Sequence, residues 1–101
     1  MYIMQGDAYG IPVYITNDGE PVTPETAETV EITLGPLIKK YPEGVSFSGG
    51  DWIFRLTQQE AFVLSAAGAD CKVRVKFKTG DVIGVSLGKI DIAASRSKAV
   101  L

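Results

Sequence analysis

Residues 71–87 read CKVRVKFKTGDVIGVSL, and this stretch carries the strongest structural signal in the chain. Apolar residues alternate with other residues on both sides of a Thr-Gly-Asp sequence at residues 79–81. Alternation with a period of two is typical of a strand with one buried face, and a short loop containing glycine is typical of a tight hairpin. The stretch therefore predicts two antiparallel strands, whose inward side chains are Cys71, Val73, Val75, Phe77, Ile83, Val85 and Leu87.

The same alternation recurs in shorter segments, which are separated by turn signals about every 8–12 residues, a spacing typical of an all-β sandwich or barrel. Pro12 cannot donate to a strand ladder, which predicts a free edge at its strand. Ile90 and Ile92 continue the apolar series on the opposite parity, which predicts a β-bulge near Gly88. The further inward residues are predicted to be Ile11, Val13, Ile15, Val30, Ile32, Leu34, Trp52, Phe54, Leu56, Phe62, Ile90 and Ile92.

One segment departs from the strand pattern. Thr57-Gln58-Gln59-Glu60 matches the capping box, in which a Thr side chain and a Glu side chain each bind a free backbone amide at a helix start. We expect a short helix over about residues 58–66, ended near Gly68, that crosses between strands. The fold predicted is a single all-β antiparallel sandwich over residues 1–93. Residues 94–101 are predicted to form a tail, either a disordered end or a strand or anchor for a neighbouring subunit.

Composition excludes several kinds of active site. The 101 residues include no histidine and one cysteine, which excludes Ser-His-Asp and Cys-His catalysis, His-ligated metals and an intrachain disulfide. Cys71 is expected to be a small core residue. We therefore predict no enzyme activity, no catalytic residue, no cofactor and no metal site. No apolar run reaches the about 18 residues of a membrane helix, so no membrane partner is predicted.

Charge is distributed unevenly along the chain. Residues 1–50 hold seven acidic and two basic side chains, whereas residues 51–101 hold five acidic and eight basic ones. The overall charge of −2 argues against nucleic acid as a partner. The acidic stretch at residues 18–31 is interpreted as a solvated loop, since its spacing does not match a calcium-binding loop. Contact between the acidic and basic regions of successive copies would produce a homo-oligomer with head-to-tail contacts.

Four basic residues are the candidate interaction face, because they alternate along one predicted strand and would lie on one side of it. The functional interpretation is a docking surface for an acidic partner. The alternative is a solvated outer face that is paired with Glu28 and Glu31 from a neighbouring strand. The four residues are Lys72, Arg74, Lys76 and Lys78.

The order of these signals resembles the small immunoglobulin-like domains encoded in tail and baseplate gene clusters of phages and prophages of Gram-positive bacteria. In particular, it is similar to the N-terminal domain of the phage baseplate upper protein family, over roughly residues 3–92. The resemblance rests on an opening Gln5-Gly6-Asp7, the turn Asp18-Gly19-Glu20-Pro21-Val22, the strand Val30-Glu31-Ile32-Thr33, the helix start Leu56-Thr57-Gln58-Gln59-Glu60 and the late hairpin across Thr79-Gly80-Asp81.

The resemblance implies an immunoglobulin-like sandwich and a non-enzymatic structural or assembly protein of a tail or baseplate. Such a protein would be made in the bacterial cytoplasm, bind other virion or assembly proteins and become part of the virion. One alternative is a module that binds carbohydrate or protein on the host surface through exposed tyrosines such as Tyr14 or Tyr41. The other alternative is a small intracellular regulator or inhibitor.

Overall fold

The computed structural model describes residues 2–93, and the predicted tail at residues 94–101 lies outside this range. The described residues form strands joined by short turns, with one helix. The elements are β1 (Tyr2–Met4), β2 (Tyr9–Val13), β3 (Thr16–Asn17), β4 (Glu20–Pro21), β5 (Ala27–Leu34), β6 (Leu37–Lys40), β7 (Val45–Ser48), β8 (Asp51–Leu56), α1 (Gln58–Phe62), β9 (Ala69–Phe77) and β10 (Val82–Ala93).

The strands form two packed sheets and a small hairpin. The first sheet has the order β1-β10-β9-β5-β6, the second has the order β2-β8-β7, and β3 pairs with β4. With β2, β8 and β7 as strands B, E and D, and β10, β9, β5 and β6 as strands G, F, C and C′, this is the strand order of an immunoglobulin-like sandwich. The predicted fold class is confirmed. One pairing differs from the antiparallel expectation, because β1 runs parallel to β10 before the chain crosses to β2 in the other sheet.

The core lies between the two sheets and contains most of the predicted inward residues. Trp52 and Phe54 from β8 are its largest side chains, and Cys71 is buried as predicted. Phe62 and Phe77 are only partly buried. The alternation did not identify several buried residues that lie in short strands, at the first position of a longer strand, in turns or in the helix, namely Ile3, Val22, Ala27, Val45, Ala61, Leu64 and Ala69.

The first half of β10 contradicts the predicted core. Ile83 and Val85 lie directly opposite the buried Val75 and Val73, so they share the inner face of the sheet. Even so, Ile83, Val85 and Leu87 are 46%, 53% and 49% exposed. The reason is the width of the facing sheet, which has three strands, whereas the sheet that contains β10 has five. The facing sheet ends at β2, so it does not cover this part of β10.

Two local predictions about β10 are confirmed. The hairpin from β9 is closed by the Phe77 amide, which donates to the Asp81 carbonyl at 2.8 Å. The ladder register shifts between Ser86 and Gly88, where the predicted bulge lies, and Gly88 has φ +90°.

Pro12 lies on β2, which is an edge strand as predicted. Within residues 2–93, no helix has the length and apolar composition needed to cross a bilayer.

The helix begins as predicted and ends earlier. Thr57 Oγ1 accepts from the Glu60 amide at 3.2 Å, and Glu60 Oε1 accepts from the Thr57 amide at 2.9 Å, which completes the capping box. The helix ends at Phe62 instead of residue 66, because the next amides bond three residues back instead of four: Val63 donates to the Glu60 carbonyl at 3.2 Å and Leu64 to the Ala61 carbonyl at 3.3 Å. The helix connects β8 of one sheet to β9 of the other, which confirms the crossover.

Glu60 also predicts how stability depends on pH. Burial raises the pKa of Glu60, but hydrogen bonds from Lys39 and Thr57 and the Lys39 charge outweigh it, so the pKa lies below its ordinary value of 4.5. A carboxylate with a lowered pKa stabilises the fold above its unfolded-state pKa, and this contribution decreases as the pH falls through the folded-state pKa. Glu60→Gln is therefore expected to cost about 1 kcal/mol at pH 7 and less at pH 3.

Urea denaturation of both chains at the two pH values measures this difference. The control variant is Glu25→Gln, which changes an exposed turn residue and should leave the stability within about 0.5 kcal/mol. An equal loss for Glu60→Gln at pH 3 and pH 7 would show that the ionised carboxylate contributes nothing.

Candidate interaction surface

The predicted basic face lies on the outside of the five-stranded sheet. Lys72, Arg74 and Lys76 alternate with buried residues along β9, and all three are exposed. Lys78 follows the last residue of β9 and is also exposed, and its amide donates to the Thr26 carbonyl at 2.9 Å. The four side chains therefore form a row along β9 and its end.

Two acidic side chains of β5 contact this row. Glu31 Oε1 lies 3.2 Å from Arg74 Nε and its Oε2 lies 3.7 Å from Lys40 Nζ, while Glu28 Oε2 lies 3.8 Å from Lys76 Nζ. These pairs arise because β5 is hydrogen-bonded to β9, with Glu31 directly opposite Arg74. Exposed pairs of this kind stabilise a fold by at most about 1 kcal/mol each. They do reduce the positive charge in the middle of the row, as the solvated-face interpretation expects.

A second surface lies along β10, and the sequence pattern had placed it in the core. β1 pairs with β10 only at Asp91, Ile92 and Ala93. Residues 82–90 therefore have β9 on one side and no described strand on the other. We call residues 82–90 the open edge.

The open edge borders an apolar groove between the two sheets. One cavity of about 270 Å³ has Ile83 and Val85 on one wall and Ile15 and Val22 on the other. Next to Leu87, a second cavity of about 260 Å³ has Ile11 and Val13 in its lining. The groove therefore presents apolar side chains beside the backbone of β10, which is hydrogen-bonded to β9 on its other side.

Residues 82–86 of the open edge lack the devices that protect the other sheet edges, whereas residues 87–90 follow the register shift at Ser86/Gly88 and include Lys89. Exposed edge strands are usually kept from pairing by proline, by lysine or by short length. The edge strand β2 contains Pro12, β6 contains Lys39 and Lys40, and β7 has four residues. Residues 82–88 contain neither a charge nor a proline. That absence of charge was the signal available in the sequence, although a buried strand would have the same composition.

Tyr14 and Tyr41, the two tyrosines that could bind a host-surface ligand, differ in their surroundings. Tyr14 is 60% exposed, but Tyr41 packs edge-on against Trp52 with ring centroids 5.0 Å apart. Phe47 makes a similar contact with Trp52 at 4.8 Å. Trp52 is fully buried, and its Nε1 donates to the Val22 carbonyl at 3.0 Å. This aromatic cluster therefore belongs to the core.

The perturbed titratable groups have structural causes. Burial raises the pKa of the Cys71 thiol, which keeps it protonated and a poor nucleophile. Burial and then the charge of Asp7 raise the pKa of Tyr9. The lowered pKa of Glu60 belongs to the capping box described above. Among residues 2–93, no three acidic or cysteine side chains come together in a way that could hold a metal ion.

Two motifs behind the family resemblance have structural roles here. Gln5 Nε2 donates to the Leu64 carbonyl at 2.8 Å, and Asp7 Oδ2 accepts from the Met4 amide at 3.0 Å, so the turn after β1 is fastened to the segment after α1. At the second motif, Asp18 and Gly19 have φ +53° and +81°. Positive φ at both central residues is what a type I′ hairpin turn requires, and the turn joins β3 to β4.

The geometry thus presents two surfaces suited to contact with other proteins, the partly neutralised basic row and the apolar open edge. Comparison with known proteins adds no assignment, since no protein-family model, curated protein or solved structure gives a significant match to this chain.

Proposed function

We propose that this chain is a non-enzymatic structural or assembly protein of a phage or prophage tail or baseplate, which acts through protein–protein contacts. The observation that carries the proposal is the open edge, because it combines unpaired backbone with exposed apolar side chains. Sheet edges of this kind bind a strand from another chain, with backbone hydrogen bonds for affinity and alternate side chains for specificity.

The exposed side chains of the open edge support a role in assembly. Ile83, Val85 and Leu87 alternate along one strand and are each about half exposed, while Val82, 59% exposed, lies on the outer face opposite Lys76. Contiguous exposed apolar surface usually marks an interaction site. Because residues 82–88 carry no charge, they would also favour unwanted aggregation if left exposed, which fits a chain that is covered in an assembly.

The immunoglobulin-like sandwich is the fold that the family resemblance implies, and this agreement favours a tail or baseplate part over an unrelated module. The partners would be other virion or assembly proteins, including further copies of the chain. Synthesis would take place in the bacterial cytoplasm, followed by incorporation into the particle. Support for a non-enzymatic role comes from the burial of Cys71 and from the structural causes of the three perturbed pKa values.

Gene deletion tests this proposal in the bacterium that encodes the chain. After induction of the prophage, particles from the deletion strain are examined by electron microscopy. Complementation uses the unaltered gene, Val85→Lys at the open edge, and Val63→Lys as the control. Val63 is 60% exposed and follows the helix α1, so the two variants place the same charge on similarly exposed valines.

We expect the deletion strain to lack complete tails, and the unaltered gene and Val63→Lys to restore them. Val85→Lys should fail to do so while the purified variant remains folded, since exposed substitutions change stability by about 0.5 kcal/mol. Complete tails in the deletion strain would overturn the proposed function. Full restoration by Val85→Lys would overturn the role of the open edge.

A further inference from the structure

We infer that the open edge pairs with the open edge of a second copy, antiparallel and around a two-fold axis at Gly84. This inference rests on the proposed function, for which it names one partner. The second copy would pair Gly84 with Gly84 and Val82 with Ser86 of its neighbour. The two five-stranded sheets would then form one continuous sheet across the axis.

The backbone N–H and C=O groups of β10 are oriented correctly for this pairing. Directly opposed residues of an antiparallel pair alternate between hydrogen-bonded and non-hydrogen-bonded positions. The Phe77 amide donates to the Asp81 carbonyl, so Phe77 and Asp81 are a hydrogen-bonded pair. Every second pair along the ladder is then also hydrogen-bonded, so Ile83 and Val85 direct their backbone groups toward β9. Val82, Gly84 and Ser86 therefore direct theirs to the open side. Pairing around Gly84 joins these three residues with the same three in the second copy.

The side chains match across the same axis. A two-fold axis perpendicular to the sheet keeps the inner faces of both copies on one side. Ile83 then lies opposite Val85 of the second copy, and Val85 lies opposite its Ile83. Apolar cross-strand pairs stabilise a sheet by about 0.2–1 kcal/mol each. The exposed stripe of each copy is thereby extended by an identical apolar stripe.

Charge selects an antiparallel second copy. The uncharged residues 82–88 are preceded by Asp81 and followed by Lys89. Antiparallel pairing brings Asp81 of one copy toward Lys89 of the other, at both ends of the contact. A parallel arrangement would place like charges together. The strand is therefore complementary to itself in one direction only.

Space at the axis also favours this register. Gly84 has no side chain at the axis, where it would face its own equivalent, and the five residues 82–86 precede the register shift between Ser86 and Gly88. β1 begins its pairing at Asp91, which in this register lies beyond the hairpin turn of the second copy. The first strand of each copy therefore leaves the contact free.

Sedimentation equilibrium of the purified chain tests the inference. The chain is measured at about 1 to 500 µM, the concentration range in which weak dimers form and dissociate. We expect a monomer–dimer equilibrium. Val85→Lys should raise the dimer dissociation constant at least about tenfold, because two ammonium groups enter apolar pairs. Val63→Lys should leave the constant within about twofold, as expected for a residue outside the contact.

A disulfide measures the register. Opposed hydrogen-bonded residues have Cα atoms about 5.5 Å apart, which is within the range that a disulfide spans. In a Cys71→Ala background, Gly84→Cys should oxidise to a covalent dimer, and Gly49→Cys, in an exposed turn, should do so at least about tenfold more slowly.

Three results would overturn the inference. One is a monomer at every concentration, and another is an oligomer that salt loosens but Val85→Lys does not weaken, as head-to-tail contact of charged regions predicts. The third is a dimer in which Gly84→Cys oxidises no faster than Gly49→Cys. A monomer in solution together with missing tails in the deletion strain would leave the proposed function standing and assign the open edge to a different virion protein.

Discussion

Replacing Trp52 with alanine is expected to lower the free energy of unfolding by about 3–5 kcal/mol. Trp52 is fully buried and makes edge-on contacts with Tyr41 and Phe47, so its removal leaves a cavity between the sheets. The change also removes the donor to the Val22 carbonyl. Because domains of this size are stable by about 5–15 kcal/mol, this loss removes about a fifth or more of the total stability.

Two further variants separate the causes of this loss. Trp52→Phe keeps a ring and removes the Nε1 donor, so we expect a loss of about 1–3 kcal/mol. Tyr14→Ala removes an exposed ring and should change the stability by about 0.5 kcal/mol or less. Urea denaturation followed by circular dichroism gives all three values. Similar losses for Trp52→Ala and Tyr14→Ala would contradict the central place of Trp52 in the core.

The second large effect is expected at Gly6, in the turn after β1. Gly6 has φ +93°, and a Cβ atom there would lie 2.9 Å from Cζ of Phe62. Gly6→Ala therefore combines backbone strain with a contact that forces the ring to move. We expect a loss of about 2–4 kcal/mol.

Gly50 provides a matched control for the backbone term. It has φ +88°, and no atom lies within 4 Å of the position that its Cβ would occupy. Gly50→Ala should therefore cost about 1–2 kcal/mol from backbone strain alone. Equal losses at Gly6 and Gly50, measured by urea denaturation, would show that the contact with Phe62 contributes nothing to the effect.

The interaction surfaces were only partly predictable from the sequence. The alternation of residues 71–78 correctly places Lys72, Arg74 and Lys76 together on the outer face. The partners of that row come from β5, and Glu31 and Arg74 are 43 positions apart in the chain, so their contact depends on which strands are neighbours. The docking role of the row remains a prediction.

The sequence by itself determined the features that depend on neighbouring residues. These include the alternating strands, the hairpin at residues 79–81, the bulge before Gly88 and the capping box at Thr57, because each is set by backbone geometry and contacts over a few positions. Their number and spacing were enough to indicate an all-β sandwich with one crossover helix.

Only the tertiary structure decided which apolar faces are covered. Val75 and Ile83 follow the same period-two pattern and lie side by side in the sheet, yet Val75 is buried and Ile83 is 46% exposed. Burial requires a second layer above a strand, and the width of that layer depends on how distant strands pair. Alternation indicates which side chains share a face, but the limited width of the opposite sheet is what leaves β10 with an open edge.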